Sequence, residues 1–265
     1  MTKTVNDALG RAVVLEGLPR RIVSLVPSQT ELLADLGLDQ EVVGLTRYCI
    51  HPRDWLGRKA VVGGTKKARF EKVEALAPDL ILANKEENTQ KDVERLEALA
   101  PVYVTDVHDL PQSLEMIRAV GALVGRSQAA DAMAAEIQAG FEALTPLAQP
   151  VQTAYLIWRS PWMTIGADTF IHDMMARAGF HNVFGDQKRY PQFTLEGLAQ
   201  KSPELVLLSS EPYPFAEPHL EEIAAAVPGA RVRLVDGEPF SWYGSRILGS
   251  PGYLRGLQSW WSERA

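Results

Sequence analysis

Short apolar runs alternate with segments of helical spacing along the first half of the chain. Residues 21–26 are apolar and β-branched, Pro27 interrupts the run, and apolar residues then recur at helical spacing over 30–36. This succession predicts a strand, a loop and a helix. The pattern continues with predicted strands at 42–45, 80–83 and 102–105 and predicted helices at 70–77 and 91–100. Strands that alternate with helices favour a parallel sheet with helices packed on its faces.

The second half repeats this order of elements, and one stretch repeats the pattern position by position. Residues 70–82 align without a gap to residues 195–207, at a constant offset of 125 (196 − 71). Each copy predicts a short helix, a proline-acid turn and a buried strand. The other predicted elements are strands at 154–158, 205–208 and 232–235 and helices at 170–178 and 195–200. Two lobes of one design place a cleft between them, which is typical of ligand capture.

One long helix is predicted between the two halves. Apolar residues over 127–144 recur at the spacing of one buried helical face. The predicted fold class is α/β, with two Rossmann-like lobes (1–110 and 151–265) whose sheets are mainly parallel, joined by one long inter-lobe helix within a connecting helical segment (111–150). A packed helix restricts closure to small adjustments, so the cleft is expected to be largely preformed. A single doubly wound domain with a long crossover helix is the alternative.

The loops that follow the predicted strands are rich in aromatic and cationic residues. Open α/β sheets bind their ligands at these loops. Aromatic faces pack against flat ligands, and arginine forks bind carboxylate or phosphate groups, so the combination predicts a large, partly anionic organic ligand. The candidate ligand-binding residues are Tyr48, His51, Lys66, Trp158, Arg159, Trp162, Arg189, Tyr190, Trp242 and Arg246. For any one of the aromatic residues, ordinary packing within a lobe is the alternative.

Composition and charge narrow the functional classes. Of the 265 residues, 46% are hydrophobic, which allows a substantial buried core. The formal net charge of −6 and the absence of a Lys/Arg run argue against nucleic acid as a partner. No apolar run approaches the roughly 20 residues that cross a bilayer. Residues 1–11 lack the apolar core of a signal peptide, so we expect a cytoplasmic chain if Met1 is native; a mature chain given a starting Met would look the same.

The sequence carries none of the common catalytic motifs, and we therefore expect a binding protein and not an enzyme. It lacks the nucleophile-elbow, phosphate-loop, zinc-protease and dinucleotide-binding patterns. Cys49 and His51 would point to opposite sides of an extended loop, so no protein metal cluster is expected. A turn that joins them, or a Cys49 nucleophile with His51 as its base, is the alternative. The single cysteine excludes an internal disulfide.

Taken together, these segments resemble the helical-backbone (class III) solute receptors of ABC importers, a family of periplasmic binding proteins that includes cobalamin, ferric-siderophore and haem receptors. The resemblance covers nearly the whole chain through segments 7–11, 21–25, 70–71, 78–81, 182–184, 195–196, 203–204 and 245–246. It implies a periplasmic (extracytoplasmic) monomer that delivers a small-molecule metal chelate to an ABC transporter permease.

The resemblance also implies a docking role for two glutamates. In this family one glutamate at the tip of each lobe docks onto arginines of the permease. Glu71 and Glu196 stand at the matching positions of this chain. Their alternative role is to offset the dipoles of the helices that begin beside them.

The sequence leaves two classes of ligand as alternatives, a corrinoid and an iron chelate. The positions that match aromatic residues of the cobalamin receptor are Tyr48, Trp162, Tyr190 and Trp242. The cations that favour a carboxylated siderophore or haem are Lys66, Lys67, Arg159, Arg189 and Arg246. Haem would need an axial ligand such as Tyr48, His51 or Tyr190. We expect a corrinoid first, with no intrinsic cofactor and with cobalt or iron carried by the ligand. A cytoplasmic corrinoid or metal-chelate carrier and an enzyme that uses the same cleft are the further alternatives.

Overall fold

The computed structural model describes residues 2–263, which form two compact units. Unit 1 contains residues 2–107, Pro111–Glu136 and Tyr243–Arg246, and unit 2 contains His108–Leu110, Ile137–Trp242 and residues 247–263. One of the passages from unit 1 to unit 2 lies inside a helix, between Glu136 and Ile137. Within residues 2–263, no helix combines the length and the apolar character that a membrane crossing requires.

Unit 1 begins with an antiparallel hairpin and continues with strands that alternate with helices. Its strands are β1 (Lys3–Asn6), β2 (Ala12–Leu15), β3 (Ile22–Ser24), β4 (Val42–Leu45), β5 (Ala60–Val61), β6 (Gly63–Gly64), β7 (Lys67–Ala68), β8 (Leu80–Asn84) and β9 (Val102–Thr105). Its helices are α1 (Pro27–Asp35), α2 (Trp55–Arg58), α3 (Phe70–Ala75), α4 (Gln90–Leu96), α5 (Leu110–Leu123) and α6 (Ser127–Glu142), of which α5 and α6 each extend into unit 2 at one end.

The main sheet of unit 1 is parallel and deeply buried. Its strand order is β5-β4-β3-β8-β9, and each neighbouring pair is parallel. Each residue of β8 and β9 is buried, as expected for strands covered on both faces. The carboxyl ends of parallel strands lie at one edge of a sheet. The loops after β4, β8 and β9 therefore start from the same edge.

Unit 2 has a mixed sheet, whose parallel part resembles the parallel sheet of unit 1. Its strands are β10 (Val151–Trp158), β11 (Trp162–Thr164), β12 (Phe180–Asn182), β13 (Gln192–Phe193), β14 (Leu205–Ser209) and β15 (Arg231–Val235). Its helices are α7 (Phe170–Arg177), α8 (Leu195–Gln200), α9 (Glu217–Ala226), α10 (Glu238–Ser241) and α11 (Ser250–Ser262), and a 3₁₀ turn covers Ser245–Leu248. The strand order is β13-β11-β10-β14-β15, with β12 also paired to β10. Strand β11 is antiparallel to both of its neighbours.

The sequence repeat is also a structural repeat. Helices α3 and α8, and likewise strands β8 and β14, keep the offset of 125 residues (195 − 70 and 205 − 80) at both of their ends. Between helix and strand, Ala77 and Ser202 adopt left-handed φ angles of 43° and 48°. The two proline-acid turns therefore share a left-handed residue at the same position, although few of their residues are identical.

The acid of each turn binds the backbone at the start of the central strand. The Asp79 carboxylate accepts hydrogen bonds from the N–H groups of Arg20 (2.8 Å) and Arg21 (2.9 Å), just before β3. The Glu204 carboxylate accepts one from Gln152 N–H (2.9 Å) in β10. Since a carboxylate accepts charge-assisted hydrogen bonds, each turn holds two adjacent parallel strands together at their amino ends.

The predicted α/β class and the alternation of strands and helices are confirmed, with differences at the ends of elements. Helix α3 ends at Ala75 and not at residue 77, because Ala77 is left-handed and a proline follows it. Helix α4 ends at Leu96 and not at residue 100, and Pro101 disfavours helical geometry at Ala100.

The connecting segment differs from the prediction in its number of helices. The expected helix over 127–144 is present as α6, which ends at Glu142. Helix α5 precedes it, and a turn in which Gly125 has a φ of 72° separates the two. The predicted lobe limits, 1–110 and 151–265, stay a prediction.

Replacement of Ala77 or Ser202 by glycine tests the strain in the two turns. An L-residue in the left-handed region costs about 1–2 kcal/mol, and the greater unfolded-state entropy of glycine offsets part of the relief. We expect Ala77→Gly and Ser202→Gly each to raise the melting temperature slightly in thermal unfolding. Ala132→Gly, at an exposed position inside α6, is the control and should destabilise by about 1 kcal/mol. Equal destabilisation by all three variants would contradict the prediction.

Candidate functional site

In unit 2, strands β10 and β11 form a hairpin that carries three candidate residues in its loop and at the adjoining strand ends. The strand register shifts between Leu156 and Trp158, and Ser160 adopts a φ of 64°. The chain therefore turns sharply between Trp158 and Trp162. Trp158 is 38% exposed, whereas Trp162 is half-buried. The hairpin thus presents one indole to solvent and packs the other.

A group of aromatic rings supports this hairpin. Trp162 is nearly parallel to Phe215 (centroids 6.1 Å apart, 5° between planes) and is also stacked with Phe193 (6.3 Å, 30°). Trp158 meets Tyr213 edge-on at 5.7 Å, and Tyr213 packs against Phe215 at 4.8 Å. Such pairs contribute about 0.5–1.5 kcal/mol each beyond area burial. We call these five rings the aromatic platform, in which Trp158 is the most exposed indole and packs on the ring of Tyr213.

Arg159, in the same hairpin loop, is ion-paired. Its Nε and Nη2 donate to the two carboxylate oxygens of Glu222 at 2.9 and 3.1 Å. The guanidinium carbon lies 5.6 Å from the ring centroid of Trp162. The hydrogen bonds to Glu222 raise the pKa of Arg159 above its ordinary value. The positive charge next to the aromatic platform is therefore compensated locally.

The loop that carries Arg189 and Tyr190 is hydrogen-bonded to the segment Gly166–Asp168. Gly166 N–H donates to the carbonyl oxygen of Arg189 at 2.7 Å, and Arg189 N–H donates to Asp168 Oδ1 at 2.5 Å. A Cβ on Gly166 would lie 2.6 Å from the backbone of Lys188, so only glycine allows this approach. Tyr190 is 36% exposed, and the Arg189 guanidinium carbon lies 5.7 Å from its ring centroid. The backbone position of both candidates is thus well defined.

Trp242 is buried, and its indole N–H donates a hydrogen bond to a carboxylate. It is 7% exposed, and its Nε1 donates to Glu211 Oε1 at 2.8 Å. Ser241 Oγ donates to the same oxygen at 2.6 Å. Burial raises the pKa of Glu211 above its ordinary value, although these two hydrogen bonds act in the opposite direction. Trp242 therefore has a structural role within unit 2, in addition to any contact with a ligand.

In unit 1, Tyr48 and His51 lie in the loop after β4. Tyr48 is 54% exposed, and a Cβ on Gly64 would lie 3.2 Å from its Cε2 atom. His51 is half-buried. Lys66 lies in the turn between β6 and β7, where its exposed side chain donates to the carbonyl oxygen of Glu86. Tyr48 and His51 therefore follow the carboxyl end of a parallel strand, where the sequence predicted a ligand site.

Arg246 is ion-paired within unit 1. Its Nε donates to Glu31 Oε2 at 2.9 Å, and its Nη2 donates to Oε1. Burial raises the pKa of Glu31, while the hydrogen bond to Arg246 lowers it. Sequence reasoning missed the two carboxylates that compensate candidate arginines, because Glu31 is 215 residues from Arg246 and Glu222 is 63 residues from Arg159. No local pattern in the sequence relates such distant partners.

Cys49 is fully buried between two threonine hydroxyls. Its Sγ lies 3.1 Å from Thr30 Oγ1 and 3.2 Å from Thr46 Oγ1. Burial raises the pKa of the Cys49 thiol. A neutral, enclosed thiol is a poor nucleophile, which argues against the alternative in which Cys49 attacks a substrate with His51 as base. Over residues 2–263, no three His, Cys, Asp or Glu side chains are grouped as metal ligands would be.

Glu71 and Glu196 occupy equivalent, exposed positions in the first turns of α3 and α8. Their surroundings differ. Arg95 Nη2 lies 3.5 Å from Glu71 Oε1, whereas near Glu196 the Thr194 hydroxyl accepts a hydrogen bond from Gly197 N–H at 3.1 Å and begins the helix. Their contact with a permease stays a prediction.

The structure brings only part of the candidate set together within one unit. Trp158, Arg159 and Trp162 share the β10–β11 hairpin of unit 2. The candidates on other loops of unit 2 are Arg189, Tyr190 and Trp242, and those in unit 1 are Tyr48, His51, Lys66 and Arg246. The cleft expected between two lobes stays a prediction.

Comparison with known proteins gives a consistent picture. The pattern of the periplasmic binding protein family matches residues 22–228. An uncharacterized ABC transporter substrate-binding lipoprotein of Bacillus subtilis is 27% identical over 216 residues, which cover 77% of this chain and 68% of the relative. The cobalamin-binding protein of Halobacterium salinarum is 29% identical over 215 residues, covering 77% of this chain but only 58% of its own length.

Solved structures share the fold at lower sequence identity. A periplasmic haem-binding protein from Roseiflexus sp. RS-1, solved in its apo form, aligns with a TM-score of 0.78 and 22% identity. The alignment covers 91% of this chain and 97% of that protein. At this identity the likeness shows the fold alone.

Glu211→Gln tests the buried carboxylate beside Trp242. Because burial raises the folded-state pKa of Glu211 above its ordinary 4.5, the folded chain holds this proton more tightly than the unfolded chain. The stability linked to that proton is present below about pH 4.5 and is lost as the pH rises through the folded-state pKa. Glutamine keeps an oxygen for Trp242 and does not titrate. We therefore expect the melting temperature of the variant, relative to the unchanged chain, to rise from about pH 4 to about pH 8.

Thermal unfolding across this pH range is the measurement. Glu217→Gln, at an exposed position at the start of α9, is the control. A difference that is independent of pH for Glu211→Gln, or equal for the two variants at each pH, would contradict the expectation.

Proposed function

The chain belongs to the periplasmic binding protein family, and on that premise we propose that it is the substrate-binding receptor of an ABC-type importer. The proposed ligand is a metal-containing organic molecule, and a corrinoid such as cobalamin comes first. The cobalamin-binding relative from Halobacterium salinarum supports this choice. Cobalt or iron would belong to the ligand as cargo, and the receptor would capture and release it without a catalytic step.

The aromatic platform is the observation that carries the corrinoid assignment. Trp158 is 38% exposed and stands on packed rings, so little conformational freedom is left to lose when a flat ligand packs on it. Next to it, Glu222 compensates the charge of Arg159. An aromatic surface with compensated charge suits a ring system with a neutral amide periphery, which a corrinoid has.

Ion pairing also weakens the argument that the cationic candidates favour an anionic ligand. Arg159 and Arg246 had favoured a carboxylated chelate, but each binds a carboxylate of its own unit. The field of an ion-paired arginine is partly cancelled by its partner, so it attracts an anionic ligand less strongly than an unpaired one does. This difference supports a corrinoid over haem or a carboxylated siderophore.

A haem or a ferric siderophore is the second candidate, and the exposed phenol of Tyr48 favours it. A tyrosine side chain is a known axial ligand of haem iron. Tyr48 is 54% exposed, so its oxygen is accessible to a large ligand. His51, in the same loop, offers an imidazole as the other donor type.

The same proposal includes a partner and a location. We place the receptor outside the cytoplasmic membrane, where the lipoprotein relative from Bacillus subtilis supports an ABC transporter role. The receptor acts as a monomer and docks onto its permease through Glu71 and Glu196. The equivalent, exposed positions of these two carboxylates in the repeat support equivalent docking roles for them.

Titration with cyanocobalamin tests the ligand. We expect a saturable absorbance change and a higher melting temperature, because a ligand that binds only the native state stabilises it. Trp158→Ala should weaken binding by about fivefold or more, on the scale of an interface aromatic. Trp261→Ala is the control, since this indole packs against Arg231 at 4.4 Å beside β15, at the opposite edge of the same sheet from the aromatic platform.

Haemin and a ferric siderophore are titrated in parallel. A saturable change confined to one of these would replace the corrinoid by that ligand. Equal losses of affinity in Trp158→Ala and Trp261→Ala would remove the aromatic platform from the site. Failure of all three ligands to bind would contradict the metal-chelate proposal as a whole.

Glu71→Ala and Glu196→Ala test docking. Both variants should keep the ligand affinity of the unchanged protein but lose uptake, because the proposed partner of these exposed carboxylates is the permease. The measurement is uptake of labelled ligand by cells in which the variant replaces the native chain. Glu74→Ala, at another exposed position of α3, is the control and should transport normally. Normal uptake by both docking variants would show that the assignment is wrong.

A further inference from the structure

A cavity of about 410 Å³ lies in unit 1 beside Glu71. Its lining includes Arg47, Lys67, Arg69, Phe70, Glu71 and Arg95. Its size falls within the roughly 300–1,000 Å³ of sites that bind small organic molecules. The cavity is formed by residues of unit 1 alone, so its chemistry can be considered separately from the metal-chelate ligand.

The charges around this cavity are strongly unbalanced. Four cations face one carboxylate, a formal net charge of +3. Within the described part of the chain, Arg47, Lys67 and Arg69 form no ion pair with a carboxylate, in contrast to arginines such as Arg159 and Arg246. Like charges held close together repel one another, so an anion that enters the cavity would be attracted by several cations at once.

Backbone hydrogen bonds hold three of these cations side by side. Arg47 N–H donates to the carbonyl oxygen of Gly63 at 2.9 Å, and Arg69 N–H donates to that of Val62 at 2.7 Å. Gly63 has a φ of 126°, and a Cβ there would lie 2.5 Å from the carbonyl oxygen of Lys67. Glycine therefore allows the tight β6–β7 hairpin that brings Lys67 and Arg69 next to Arg47. The site is organised before any ligand binds.

Arg95 adds the fourth cation from helix α4. Ala68 N–H donates to Asp92 Oδ2 at 3.2 Å, which joins the hairpin to this helix. The Arg95 guanidinium carbon lies 4.1 Å from the ring centroid of Phe70, and a guanidinium stacked on a ring keeps its edge N–H groups for other partners. The contact between Arg95 Nη2 and Glu71 Oε1 is 3.5 Å, longer than a good hydrogen bond. Glu71 therefore leaves part of the donor capacity of Arg95 unused.

We infer that this cavity binds a phosphate group, either as inorganic phosphate or as the phosphate monoester of a small molecule. A phosphate monoester carries about −1.5 to −2 charges near neutral pH on one compact group. Arginine forks match its oxygens, and lysine adds a point charge. A ligand that offers a single carboxylate carries one negative charge, so it would leave most of the cavity's net charge of +3 uncompensated. The phosphate site goes beyond the receptor proposal and depends on neither the corrinoid nor the permease.

Calorimetric titration of the purified protein with inorganic phosphate and with glycerol 1-phosphate tests the inference. Chloride keeps the ionic strength constant, because salt screens exposed charges. We expect saturable binding, and the tighter of the two probes identifies the source of the phosphate group. The double variant Lys67→Gln/Arg69→Gln should bind at least about tenfold more weakly, since it loses charge-assisted hydrogen bonds.

Two further variants sharpen the test. Glu71→Gln should bind phosphate more tightly, because it removes a repelling carboxylate and releases Arg95. Arg53→Gln, at an exposed arginine outside the cavity lining, is the control and should not change the affinity. Thermal unfolding in chloride alone confirms that each variant is folded.

Three outcomes would overturn the inference. They are no saturable binding of either phosphate probe, binding of citrate in their place, and an equal loss of affinity in Arg53→Gln and the double variant. Failure of the docking proposal would leave these titrations unchanged, because no permease takes part in them. If Glu71→Gln binds phosphate more tightly while cells with Glu71→Ala or Glu196→Ala both take up the ligand normally, the phosphate site stands and the docking proposal is refuted.

Discussion

A carboxylate bound to the backbone at the start of the central strand is the interaction on which each unit depends. Asp79 binds the N–H groups of Arg20 and Arg21, and Glu204 binds that of Gln152. These bonds join adjacent parallel strands at their amino ends. They therefore support the register of β3 against β8 and of β10 against β14. Candidate ligand residues lie at the opposite, carboxyl ends of strands in the same sheets, as in the loop after β4 and the turn after β10, so their proposed role depends on strand pairing that is held at the other end of the strands.

Much of this fold could be predicted because its signals are local. Apolar runs, helical spacing and the repeated proline-acid turn identify β8 and β14 and the helices before them within two residues at each end. Strand β11 could not be predicted in the same way. It has only three residues, and its antiparallel pairing with β10 depends on the left-handed turn at Ser160, which has no glycine to mark it. The hairpin that carries the most exposed indole of the candidate set is therefore a feature that only the structure shows.

The sequence indicated which residue types follow the strands but not how their charges are paired. Trp158, Arg159 and Trp162 lie within five positions of one another, so the sequence alone grouped them, while their contact with a ligand stays a prediction. The same reasoning counted Arg159 and Arg246 as available cations, although each has a carboxylate partner from another part of the chain. Within the described residues, three cations without a carboxylate partner, Arg47, Lys67 and Arg69, line the cavity beside Glu71. The positive charge beside the aromatic platform is thus compensated by a carboxylate, whereas most of the positive charge around the cavity beside Glu71 is not. A count of Lys and Arg in the sequence does not reveal this difference.

The enclosed thiol of Cys49 has a practical consequence for spectroscopy. It is the one cysteine of the chain, it has no exposed surface, and two threonine hydroxyls surround its sulfur. Maleimide dyes react with accessible thiolates, so the native chain should remain essentially unlabelled under mild conditions. A cysteine introduced on any exposed loop would then carry the dye alone. The protein is in this sense already a background for single-site fluorescent reporters, with no need to remove its own cysteine first.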